Sequence, residues 1–106
     1  MRKSNEAPGD AGMVPIRPSS DPWVLYAREL GLRVGKARAA SGLTQERAAH
    51  AAGITTFTYR KLEKGESNPG TPANPRLSTL VALAEVFDVS VASLLPEEKP
   101  GIAVGR

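Results

Sequence analysis

From about residue 22 to residue 95 the apolar positions of this chain recur at helical spacing, and nowhere do they alternate as a strand over a useful length. Leu30, Val34 and Ala37 mark the inward face of a first helix, Pro22 to Ala40. Asp21 suits its N-cap, Pro22 its first helical position, and Gly42 lies just past its end. Gly31 and Gly35 inside it each cost roughly 1 kcal/mol relative to Ala, which leaves room for a bend or a late start. Thr44 caps a second helix, Gln45 to Ala52, closed by Gly53, and its inward positions Ala48, Ala49 and Ala52 are all small. Asn74-Pro75 repeats the cap-plus-proline start ahead of the stripe Leu77, Leu80, Leu83, Ala84 and Phe87. Ser90 caps a short last helix with Val91, Leu94 and Leu95 inward, stopped by Pro96. The pattern predicts an all-α domain of five short helices.

One segment resists this scheme. ITTFTYRKLEKG, residues 54–65, opens with six β-branched or aromatic residues, types that form helix poorly, yet ends as a helix running into a glycine stop. Taken as a helix over 55–64, it sorts cleanly at 100° per residue. Thr55, Tyr59 and Leu62 share one face, with Glu63 at its border. Phe57, Arg60, Lys61 and Lys64 crowd the other, with Thr56 and Thr58 on the flanks. Stability alone would favour Glu, Gln or Ala outside. This outer face suits a helix chosen for what it touches, held in place by the packing of Tyr59 and Leu62.

The two ends read differently. Residues 1–21 and 96–106 mix Pro, Gly and charge without periodicity and are expected to be flexible tails around a single domain, 22–95. At 106 residues there is room for one core and none for a separate ligand-sensing domain. The chain has no cysteine, no apolar run of membrane-spanning length and no signal-peptide pattern, which points to a soluble, cytoplasmic protein.

Charge adds direction. Residues 22–64 carry eight Lys/Arg against three acids, whereas 77–98 carry four acids and no Lys/Arg. A basic first half suits a polyanion. Small residues on one helix, a Gly turn and an N-capping Thr describe a helix–turn–helix, with Ala49 at the crossing and Gly53 in the turn. The second helix of such a unit enters the DNA major groove, where Lys or Arg pairs with guanine O6/N7 and Phe or a Thr methyl meets the thymine methyl.

GLTQERAAHAAGITTFTYRKLEKG resembles the helix–turn–helix of the lambda-repressor/Cro-like, or Xre, family of transcriptional regulators. RLSTLVALAEVFDVSVASLL resembles that family's fourth and fifth helices, so the likeness covers about residues 30–95. It implies a five-helix lambda-repressor-like fold and a homodimeric, sequence-specific regulator, a repressor, of a palindromic double-stranded DNA site. By the resemblance, Thr56, Phe57 and Lys61 read bases with Arg60 beside them, and Gln45 touches the DNA backbone while bracing the recognition helix. Thr44, Thr58 and Lys64 match positions near phosphates. Arg38 and Glu63 match a pair that often forms a salt bridge beneath the recognition helix. Two departures stand out. Tyr59 replaces an aliphatic, with Ala48 and Ala52 in place of larger residues, as though the ring fills the vacated volume. The connection ESNPGTPANPR is longer than usual, with Arg76 a candidate phosphate contact and the loop itself a candidate partner contact.

Leu94, Leu95 and the acidic fifth-helix region are the expected dimer surface. The competing reading is an antitoxin or protein-interaction adapter that meets a basic partner through 77–98. His50 stands alone as a histidine, Glu29 and Glu46 belong to no acid–base constellation, and Ser41 and Ser93 sit at helix ends as caps or surface. With no phosphate-binding loop or nucleophile elbow, neither an enzyme nor a cofactor is expected.

Overall fold

A computed structural model describes residues 20–105. Residues 1–19 of the expected N-terminal tail therefore lie outside the described residues, and residues 95–105 contain no helix or strand. Five helices appear: α1 (Pro22–Ala40), α2 (Gln45–Ala52), α3 (Thr56–Glu63), α4 (Leu77–Phe87) and α5 (Val91–Leu94). Between α3 and α4 lies a small antiparallel hairpin, β1 (Glu66–Asn68) and β2 (Thr71–Pro72).

Local chemistry explains most boundaries. Asp21 accepts from the backbone N–H of Trp23 and Val24 at the start of α1, and Thr44, Thr55 and Ser90 each accept from the N–H three residues on at the starts of α2, α3 and α5. The core gathers Leu30 and Val34 from α1, Ala48 and Ala49 from α2, Tyr59 and Leu62 from α3, and Leu83 and Phe87 from α4. Leu94 closes it from α5, which packs against both α1 and α4.

Several expectations are corrected. α1 is unbroken through Gly31 and Gly35. At Gly31 the missing side chain is a packing requirement: a Cβ there would sit 2.5 Å from the Glu63 carbonyl oxygen and 2.6 Å from that of Leu62. The two helices cross backbone to backbone at this point. Gly65 secures the same crossing, with φ 77° and the position of a Cβ 2.8 Å from the Arg28 Cα.

Asn74 does not cap α4. The helix begins two residues later at Leu77, its N-cap is Arg76, and no side chain caps it. Leu77, expected in the inward stripe, is 71% exposed, because burial on α4 begins only one turn on, at Leu80. Leu94, expected on a dimer surface, is 1% exposed and belongs to the core of its own chain. The 66–76 connection is also more ordered than a plain loop. Pro69-Gly70 turns the hairpin with Gly70 at φ 78°, and the N–H of the buried Ala73 bonds the Gly65 carbonyl at 2.8 Å, tying the hairpin's exit to the end of α3.

Candidate nucleic-acid interface

α2 and α3 meet through small side chains. Ala48 and Ala49 are fully buried, Gly53 turns the chain at φ 77°, and the Ile54 N–H returns to the Ala49 carbonyl at 3.0 Å. α3 then starts from Thr55, whose hydroxyl accepts from the Thr58 N–H at 3.1 Å and donates to the Thr58 hydroxyl at 3.0 Å. The helix of poor formers is held from one side, by Tyr59 at 0% and Leu62 at 5% exposure.

Behind α3 lies a hydrogen-bond network centred on Glu63. Arg38 grips the carboxylate with both arms of its fork, Nε to Oε2 at 2.7 Å and Nη2 to Oε1 at 3.3 Å. Its Nη1 donates to the Leu43 carbonyl at 3.0 Å, which anchors the approach to α2. Tyr59 donates its phenol to Glu63 Oε2, and Gln45 donates Nε2 to Oε1 at 2.9 Å. Every acceptor direction of the largely buried carboxylate is thus used. Burial by itself would raise the Glu63 pKa, but the donated bonds of Arg38, Tyr59 and Gln45 outweigh it and hold the group below the usual carboxylate value. Burial, then the bond to Glu63, pushes the Tyr59 phenol upward, and the bond to Glu63 raises Arg38.

The network reaches the surface. The Gln45 Oε1 accepts from Arg60 Nε at 3.2 Å, and Arg60 Nη2 lies 3.6 Å from Glu46. Sequence reasoning placed Arg60 beside the base-reading residues. The structure also ties it to α2, half-exposed, joining the last turn of α3 to the first turn of α2. Glu46, read as plain solvated charge, is its partner.

The outer side of α3 presents Phe57, 71% exposed, with the Lys61 ammonium 4.3 Å from the centre of its ring. Thr56, in the first turn, is half-buried, and Lys64 caps the helix end in the open. Thr44, at the start of α2, is exposed, and His50 lies on the surface. Thr58 and Lys61 line a groove of about 500 Å³ together with Asn68 of the hairpin, Asn74 and Arg76. On α3, Arg60 thus joins Gln45 at the start of α2, next to Thr44, and Thr58 and Lys61 share the groove with Arg76, with Phe57 against Lys61. Tyr59, Leu62 and Glu63 on its inner side engage Arg38 and the core around Ala49. The hairpin wall of the groove was missed in the sequence, where Pro69-Gly70 was its one signal.

Known proteins share the fold. The profile of the family described as helix-turn-helix matches residues 34–94. Among solved structures the chain is similar to the restriction-modification controller protein C.AhdI from Aeromonas hydrophila, at 26% identity and TM-score 0.56, over 65% of this chain and 96% of that one. It is also similar in fold to the SOS-response transcriptional repressor LexA from Eubacterium rectale, at 22% identity and TM-score 0.57, over 77% of this chain and 81% of that one. None of the curated proteins matches the chain.

Proposed function

The chain belongs to the lambda-repressor-like (Xre) helix-turn-helix family of DNA-binding transcriptional regulators, and on that premise we propose that it acts as a repressor. It binds a palindromic duplex site as a homodimer, its two α3 helices in major grooves about 34 Å apart. Within each half-site Thr56, Phe57 and Lys61 face base edges, with Arg60 at their flank. Thr44, Gln45, Thr58, Lys64 and Arg76 follow the phosphates on either side. Such a regulator works in the cytoplasm, beside its DNA.

The observation that carries this reading is the division of labour on α3. Its inner residues are fully committed to Arg38, Gln45 and the core, whereas its outer face leaves Phe57 and Lys64 exposed, with the Lys61 ammonium over the Phe57 ring. An aromatic ring left 71% exposed adds nothing to the core and suits a groove that offers methyl groups and acceptors. The likeness to C.AhdI, described as a controller protein, supports a regulatory role.

Selection of binding sites from a random duplex pool at two salt concentrations tests the proposal. The expected result is an enriched palindrome whose affinity falls steeply as salt rises. Salt-sensitive binding without enrichment would make the protein a backbone binder. No binding at low salt would favour the adapter reading, with the acidic 77–98 surface as the contact.

A further inference from the structure

Phe57 and Lys61 are separate residues in sequence but one object in space. Lys61 follows Phe57 by one turn, and a long helical side chain leans toward the N-terminus. The ammonium therefore sits over the ring, 4.3 Å from its centre, instead of reaching outward. Its charge is carried toward the end of α3 that enters the groove first. Arg38 and Arg60 are both engaged by carboxylates, whereas Lys61 forms no ion pair among the described residues.

Resting on the DNA-reading function above, we propose that Phe57 and Lys61 read one dinucleotide step, a C5-methylated pyrimidine adjacent to a guanine. The chemistry follows from what the major groove displays. The apolar group it offers to a ring is the C5 methyl of thymine, and the same methyl is present in 5-methylcytosine. Guanine presents the acceptor pair O6 and N7 to an ammonium. Successive bases stack about 3.4 Å apart, so two recognition groups 4.3 Å apart span one step and cannot be set two steps apart without breaking their contact. The cation covers one face of the ring, which leaves its edge and other face for the methyl. To this pair thymine and 5-methylcytosine are equivalent, and uracil and cytosine are not. Where the site places cytosine in the step, methylation of that base strengthens binding.

The test uses the full chain and the duplex enriched by selection. Replacing thymine of the step by deoxyuridine removes the methyl alone. The expected loss is about fourfold, the value of one buried methyl group. Phe57→Ala, an exposed position whose loss leaves the core intact, should bind the two duplexes equally. Replacing the guanine by 7-deazaguanine should weaken the wild type and leave Lys61→Ala indifferent. Equal wild-type affinity for thymine and uracil, or the same loss in Phe57→Ala, overturns the inference. An enriched site with no such step overturns it as well, while the regulator reading stands. Failure to enrich any site overturns that reading and this inference together.

Discussion

The phenol of Tyr59 donates to the carboxylate of Glu63, one turn further along the same helix, in a pocket where the ring is fully buried. Where the resemblance leads one to expect an aliphatic residue, this chain has a ring buried in the same core as Ala48 and Ala49 that also supplies a donor. Tyr59→Phe keeps the ring and removes the donor, leaving one lone pair of Glu63 unmatched. The expected cost is about 1–2 kcal/mol, read as a lower midpoint in urea with an unchanged slope.

Arg38→Ala removes two bonds to Glu63 and one to the Leu43 carbonyl at once. The side chains are 22% and 13% exposed, so the pair is sheltered but not fully dry. About 2–3 kcal/mol should be lost, below the cost of breaking a fully buried pair. DNA affinity should fall with it, since α3 loses its rear support. An unchanged melting temperature would refute the structural role.

Stability should fall at both ends of the pH scale. Glu63 titrates lower in the folded chain, so its contribution is present above the ordinary carboxylate range and is lost as pH falls through that range. Tyr59 titrates higher, so its contribution is present below the ordinary value of 10.0 and is lost as pH rises beyond it. Melting curves across pH should show a plateau between two declines. Tyr59→Phe should flatten the alkaline decline and Glu63→Gln the acid one.

Gly31 and Gly35 should respond in opposite ways to alanine. Both sites gain helix propensity, about 1 kcal/mol. At Gly35 the new Cβ makes ordinary contact with the Glu63 carboxyl carbon at 3.5 Å, so the variant should be slightly more stable. At Gly31 it meets two carbonyl oxygens at 2.5 and 2.6 Å, backbone atoms that cannot rotate away. Forcing the crossing apart should cost about 2–3 kcal/mol net, and thermal melts of the two variants side by side give the comparison.

Lys61→Ala should weaken DNA binding by about 1–3 kcal/mol and relax base preference at a single position, as measured by repeating site selection with the variant. A uniform loss across all sequences would make Lys61 a phosphate contact instead.

Spacing and capping residues determined much of this protein. The inward faces of α1 and α2, the caps Asp21, Thr44, Thr55 and Ser90, and the outward Phe57 were all legible, because a helix maps sequence period directly onto a face. The Arg38–Glu63 pair was legible only through resemblance, since 25 residues separate its members. Tertiary structure alone decided the rest. The composition of α1 presented Gly31 as a weakness, and only the crossing with α3 made it a requirement. Leu94 had the same apolar character as a dimer contact, and only the packing of α5 between α1 and α4 sent it inward. The ties from Glu63 through Gln45 to Arg60 depend on how α2 and α3 meet. Periodicity tells a residue which side of its own helix it occupies, whereas its partners depend on the distance and angle at which helices cross, and these are set by the whole core.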